Sequence, residues 1–214
     1  MDRDTIMSSR YDTSAIILKT EAKGEYDLWC VCFTERFGKM RLLAKGVRKP
    51  TSKLRAALQP LSFSRIEFVQ GRIWRVVDAV LESRHEELRS NAKSLRSAMA
   101  VVALCQRFCQ EKERDTIIWK HLLETLDILN TSEERSFMSS LVYYHFLWNL
   151  LSRCGYAPAA AEIKKEAPAA LPFVTSLLTE PLSRMRTLIL DADGQGELSR
   201  VSRTYLERAI VLVS

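Results

Sequence analysis

Residues 28–44 read LWCVCFTERFGKMRLLA. Charged residues bound the apolar run Leu28 to Phe33, Phe37-Gly38-Lys39 signals a turn, and Met40 to Ala44 resumes an apolar segment. This spacing predicts two short strands joined tightly. Working outward, Ile16 to Lys19 opens a β-rich region before the Lys23-Gly24-Glu25 break. Ile66 to Val69 and Trp74 to Leu81 follow, separated by Gln70-Gly71-Arg72. Five such strands suggest a small closed or nearly closed barrel, which removes the unpaired edges of an open sheet.

The pattern changes after Glu82. Leu88, Leu95, Met99, Val102 and Phe108 recur at helical spacing, then Ile118, Leu122, Leu126 and Leu129, then Phe137, Leu141, Tyr144, Trp148 and Leu151. Each set predicts a helix with one apolar face. Ser132 can cap the third, with Arg135 where a capping box would have Glu, and Gly155 followed by Pro158 can end it. The Ala-rich residues 157–172, with three prolines, read as irregular with one short turn at most. Shorter helices are expected over Phe173 to Leu178, Leu182 to Leu190 and Leu198 to Val213. The expected class is α+β, with a five-stranded barrel over residues 1–82 and a helical domain over 83–214.

Charge is distributed unevenly between these parts. The formal net charge of +6 falls wholly in residues 1–80, with 15 basic and 9 acidic residues, while the remainder holds 17 of each. Between Arg36 and Arg55 stand eight basic residues and no acid: Arg36, Lys39, Arg41, Lys45, Arg48, Lys49, Lys53 and Arg55. Three readings are open: a nucleic-acid backbone, an acidic protein segment, or plain solubilisation. Lys39 and Arg41 share a face of their strand, and Val47 to Arg55 reads as a basic loop extending from the barrel and following a sugar-phosphate backbone. Phe33 and Phe68 read as core. Trp29 and Trp74, with charged or polar neighbours, are candidates for base stacking.

Other features argue against catalysis and against a secreted or membrane protein. The hydrophobic fraction is 47%, yet no apolar run approaches the roughly 20 residues that span a bilayer. Met1 to Arg10 is polar, so a cytoplasmic location is expected. Cys30, Cys32, Cys105, Cys109 and Cys154 read as reduced thiols, most simply packing groups. His85, His121 and His145 are scattered, and no Walker loop, dinucleotide fingerprint or nuclease-like acidic trio is present. Asp191 to Leu198 resembles the start of a calcium loop, but Ser202 stands where the bidentate Glu belongs, so a turn between helices is expected. No cofactor and no metal are expected.

Four blocks of residues carry a family resemblance. Gly24-Glu25-Tyr26-Asp27, Thr34 to Lys39, Ala44 to Pro50 with Ser52, and Leu58-Gln59-Pro60 occur in the order and spacing of the bacterial RecO family of recombination mediators, and Gly155-Tyr156-Ala157-Pro158 resembles the end of its central helical segment. The resemblance implies an oligonucleotide-binding (OB-type) barrel and a non-enzymatic, nucleoid-associated protein of DNA repair and recombination. Such a protein binds single- and double-stranded DNA and anneals complementary strands. With RecR it promotes RecA loading on DNA coated by single-strand-binding protein. Carried onto this chain, Lys39, Arg41, Lys45, Arg48 and Lys49 would touch DNA, the barrel would present a surface to RecR, and the helices would hold the C-terminal tail of single-strand-binding protein. Many members have a four-cysteine zinc site after the Gly-Tyr-Ala-Pro segment. Here Ala159 to Pro172 contains no cysteine or histidine, which excludes zinc by that route. The alternative is an adaptor whose basic barrel docks acidic partner segments without contacting DNA.

Overall fold

The computed structural model describes residues 9–131, 136–187 and 192–213. The chain divides into two compact units: the described part of Met1–Glu86 together with Cys109–Trp119, and Glu87–Phe108 with the described part of Lys120–Ser214. The sequence division at residue 82 differs, because an eleven-residue piece of the later chain belongs with the strands.

In the first unit, β1 (Arg10–Lys23), β2 (Asp27–Thr34), β3 (Gly38–Ala44), β4 (Phe63–Val69) and β5 (Arg75–Ser83) are arranged in the order β1-β2-β3-β5-β4, with β4 returning to β1. β1 serves both neighbours because its register shifts between Ile17 and Lys19. There the Ile17 N–H and carbonyl bond instead to the Ser62 carbonyl and the Leu61 N–H.

The expectation of a five-stranded OB-type barrel followed by an all-helical domain needs correction at its closing edge. The four antiparallel pairings are extensive, but β3 meets β5 in parallel only through Leu43↔Arg75 and Ala44↔Val76. The unit is an antiparallel sheet drawn into a ring by a two-pair seam, not a barrel laddered on every side. The physical reason lies at the other end of β3, where later chain is engaged. Lys39 forms a parallel bridge with Glu111, and the Lys112 N–H donates to the Lys39 carbonyl at 2.8 Å. This strap satisfies backbone groups that a longer β3–β5 ladder would otherwise use.

Gly38 makes the strap possible. Its φ is +66°, and a Cβ there would lie 1.8 Å from the Glu113 carbonyl oxygen. The Thr34 hydroxyl closes the same turn, donating to the Gly38 carbonyl at 2.8 Å and accepting from the Phe37 N–H at 3.0 Å.

Inside the ring lie Ile17, Cys30, Cys32, Met40, Leu42, Ile66 and Phe68, and the segment after β3 adds Val47, Ala57 and Leu58. Residues 45–62 are therefore not a loop projecting from the sheet. Three apolar side chains fold the segment back as a lid on the core.

The second unit contains α1 (Glu86–Ser90), α2 (Ala92–Phe108), α3 (Thr116–Thr131), α4 (Ser136–Arg153), α5 (Ala160–Glu166), α6 (Leu171–Thr179) and α7 (Ala192–Val213), although the starts of α1 and α3 fall in the first. α2 buries Ala98, Val101, Val102, Cys105 and Phe108, which leaves Met99 of the expected apolar face 43% exposed. α4 ends as its sequence predicts: Gly155 has φ +78°, and the Tyr156 N–H reaches back to the Leu151 carbonyl. Ser132 and Arg135 lie outside the described residues.

Three further expectations are corrected. Residues 157–172 are mostly helical, comprising α5, a 3-10 turn over Pro168–Ala170 and the start of α6. Alanine is the best helix former, and Pro168 and Pro172 occupy first-turn positions where no N–H is needed. The calcium-like stretch is not a turn beyond Asp191, since α7 begins at Ala192 and runs through both glycines; Asp191 itself lies outside the described residues. The expected helix at Leu182 is a 3-10 turn over Leu182–Thr187, and residues 188–190 lie outside the described residues. No helix among the described residues is long and apolar enough to cross a membrane.

The half-buried His121 and the buried His145 form a polar relay in this unit. The His145 Nε2 is 3.1 Å from the Glu180 carbonyl, and its Nδ1 is 3.0 Å from His121 Nε2. The relay is satisfied when both rings are neutral, His145 donating to the carbonyl and accepting from His121. Burial, with a smaller contribution from His145, lowers the His121 pKa to about 4.

Two outcomes follow from these features. Gly38→Ala should destabilise the protein by about 2 kcal/mol or more in chemical denaturation, because strain at positive φ adds to collision with the strap. His121 binds a proton more readily unfolded than folded, so its contribution is full above its ordinary value of 6.5 and falls as pH drops toward 4. Stability measured between pH 7.5 and 4.5 should decline by up to about 3 kcal/mol from this group, and His121→Gln should flatten that decline.

Candidate nucleic-acid interface

Strand alternation sorts the side chains of β2 and β3. Cys30, Cys32, Met40, Leu42 and Ala44 enter the core, which leaves Trp29, Lys39 and Arg41 on the outer face. The Arg41 guanidinium carbon stands 4.4 Å from the centroid of the half-buried Trp29 ring, and Lys23 Nζ, at the end of β1, stands 4.4 Å from the same centroid. Each contact is worth about 0.5–1 kcal/mol at an exposed site. Their main effect is to gather two flexible cations around one ring.

Although residues 36–55 contain no acid, the sheet brings one from elsewhere. Glu21 lies opposite Trp29 on β1, with its carboxylate 2.6 Å from Lys19 Nζ and 3.7 Å from Arg41. The Lys19 ammonium, and to a lesser degree Arg41, holds the Glu21 carboxyl below its usual range. These exposed pairs contribute little to stability, and Arg41 can exchange Glu21 for another anion.

Beyond β3 the chain is stitched to the β1–β2 turn. Gly24 and Gly46 have φ of +64° and +67°. The Gly46 N–H donates to Asp27 Oδ1 at 2.8 Å and the Arg48 N–H to the Tyr26 carbonyl at 2.9 Å; Arg48 Nη1 reaches the Gly24 carbonyl at 2.8 Å. Lys49 Nζ lies 5.3 Å from the Tyr26 ring centroid. Behind them, Arg55 Nη2 donates to the carbonyls of Arg48 and Lys49 at 2.8 and 2.9 Å. Arg55, itself exposed, thus braces the backbone of Arg48 and Lys49.

The eight basic residues accordingly separate. Arg41, Arg48 and Lys49 meet the β1–β2 hairpin, Arg55 holds the backbone of Arg48 and Lys49, and Lys45 and Lys53 are exposed along the same segment. Arg36 lies at the opposite end of β3, in the β2–β3 turn, donating to the Asp12 carbonyl at 3.0 Å. Lys39 is half-buried at that end, beside the strap. Trp74 is half-buried against Tyr11 and Phe68, with centroids at 5.5 and 5.7 Å, and the cation over it is Lys112. Phe68 is core, and Phe33 packs toward Trp119 on the opposite side of β2. Sequence reasoning missed Lys23, Tyr26 and Glu21 as members of this surface. The alternation Lys19, Glu21, Lys23 ahead of Gly24 was the available signal. Among the described residues, no three His, Cys, Asp or Glu side chains gather as metal ligands would.

These observations define an α+β protein whose strand unit concentrates cations and aromatic rings at one hairpin. Comparison with known proteins adds the family. Residues 7–80 match the family model described as Recombination protein O N terminal. The chain is 31% identical over 153 residues to the DNA repair protein RecO of Desulforudis audaxviator, covering 70% of this chain and 58% of that protein. It is 31% identical over 156 residues to that of Dehalococcoides mccartyi, covering 71% and 59%, and 27% identical over 150 residues to that of Caldanaerobacter subterraneus, covering 68% and 58%. The chain belongs to the RecO family, and it spans less than two thirds of the length of these relatives.

If Arg55 braces the segment, Arg55→Ala should raise hydrogen exchange at residues 46–52 while changing global stability by no more than about 1 kcal/mol. Both quantities can be read from one exchange experiment paired with a denaturation curve.

Proposed function

We propose that this protein is a non-enzymatic, DNA-binding mediator of repair and recombination. The observation that carries this reading is the gathering of Lys23, Arg41, Arg48 and Lys49 around Trp29 and Tyr26, within the region that matches the family model. Cations neutralise phosphates and release condensed counterions, while exposed rings accept bases of any identity. The side chains do not form a pattern that reads base edges, so binding is independent of sequence.

Annealing follows from the same chemistry. A surface that screens phosphate repulsion lets complementary strands approach without any covalent step, and release of the duplex completes the cycle. In this reading Arg41, Lys45, Arg48 and Lys49 contact DNA directly, Lys53 adds to the field, and Arg55 works chiefly by holding Arg48 and Lys49. Trp29 positions cations more than it stacks bases. Arg36, Lys39 and Trp74 lie outside the central contact. DNA binding would also keep the protein with the nucleoid.

The family assignment supports partnership with RecR and single-strand-binding protein, and through them RecA loading. The helical unit offers a cleft of about 230 Å³ lined by Tyr143, Tyr144, Leu147, Ser202, Arg203 and Leu206. Tyrosine and leucine walls with Arg203 among them, interrupted by Ser199 and Ser202, suit an acidic C-terminal tail with apolar residues.

The test is fluorescence anisotropy with labelled single- and double-stranded oligonucleotides across a salt series. Replacing Lys45, Arg48 and Lys49 together with Glu should weaken binding and reduce the logarithmic salt slope by about 2–3, as three lost phosphate contacts require. Unchanged affinity and slope would remove this segment from the DNA site. Binding of acidic peptides with no binding of DNA would favour the adaptor reading.

A further inference from the structure

Tyr26 is 44% exposed at the tip of the β1–β2 hairpin, an unusual setting for a large ring beside so many cations. We infer that Tyr26 is the base-stacking platform for single-stranded DNA, an inference that rests on the DNA-binding reading above. Three observations carry it.

The ring sits on a fixed backbone. The Tyr26 carbonyl accepts from the Arg48 N–H, the Gly24 carbonyl two residues earlier accepts from Arg48 Nη1, and the Asp27 carboxylate next in sequence accepts from the Gly46 N–H. A platform held on both sides loses little freedom when a base stacks on it. Gly24 supplies the positive φ that the turn requires, and a Cβ there would meet no atom within 4 Å. Glycine is thus needed for the backbone conformation and not for space.

A phosphate-seeking cation accompanies the ring. Lys49 Nζ lies 5.3 Å from the Tyr26 centroid, and Arg48 is tied to the same turn. One nucleotide can therefore place its base on Tyr26 while the adjoining phosphate meets Lys49, the combination that holds single strands.

The alternative ring is already engaged. Trp29 has Lys23 and Arg41 each at 4.4 Å from its centroid, so a base would have to displace a cation that the DNA backbone also needs. Trp74 belongs to a packed aromatic group with Tyr11 and Phe68. Tyr26 is the ring that combines exposure, a fixed backbone and a single attendant cation.

The test compares a labelled oligothymidylate with an abasic oligomer carrying the same number of phosphates, over one salt series. Wild type should bind the base-bearing strand at least about fivefold more tightly than the abasic one, as loss of one stacked base requires. Tyr26→Ala should lower that ratio by about fivefold with its salt slope unchanged, and Tyr26→Phe should retain the wild-type ratio. Thermal unfolding of both variants checks that the hairpin persists. A Tyr26→Ala ratio equal to that of wild type would overturn this inference while leaving the DNA-binding reading intact. Absence of salt-dependent binding by wild type would overturn both.

Discussion

The pleat of β2 and β3 imposes a division on which the rest of the strand unit depends. Successive residues must face opposite sides, so burying Cys30, Cys32, Met40, Leu42 and Ala44 obliges Trp29, Lys39 and Arg41 to face outward. A register slip of one residue would bury cations and expose the core. The hydrophobic interior therefore specifies the charged exterior, and the cationic surface is a consequence of folding as much as of composition.

Two later pieces of chain complete what the strands begin. The segment after β3 inserts Val47, Ala57 and Leu58 into the core and thereby presses Arg48 and Lys49 against the β1–β2 turn. Residues 111–113 meet the opposite end of β3, where Gly38 leaves room for the Glu113 carbonyl. Together with the short β3–β5 seam they leave few open backbone groups along β3. Rigidity at the basic hairpin thus arises from buried apolar contacts and backbone hydrogen bonds, while the cations themselves stay in solvent.

All five strands were legible from apolar runs separated by turn residues, because half-buried strands must alternate and turns need glycine. The four-block resemblance to the RecO family is likewise legible in the sequence. Other features depend on contacts distant in sequence. The strap across Gly38 carries no local signal, since Cys109 to Asp115 reads only as a gap between two helical periods. The acid beside Arg41 comes from β1, and pairing register decides which acid it is. The lid over residues 45–62 reads as a free basic loop because its charge outweighs the four apolar residues it buries, Val47, Ala57, Leu58 and Leu61. In the helical part, alanine propensity outweighed proline count over residues 157–172, and the helix containing Gly194 and Gly196 is held by burial of Leu198 and Val201 farther along.

The central claim is that the β1–β2 tip, the outer face of β3 and the stitched segment after it form one DNA-contacting surface. Backbone amide chemical-shift mapping of the isotopically labelled protein, titrated with a short single strand at low salt, tests it most directly. The account predicts shifts concentrated in residues 23–29 and 41–55, with Arg36 and Trp74 little moved. Shifts confined to the helical unit, with those two stretches unmoved at saturation, would contradict it.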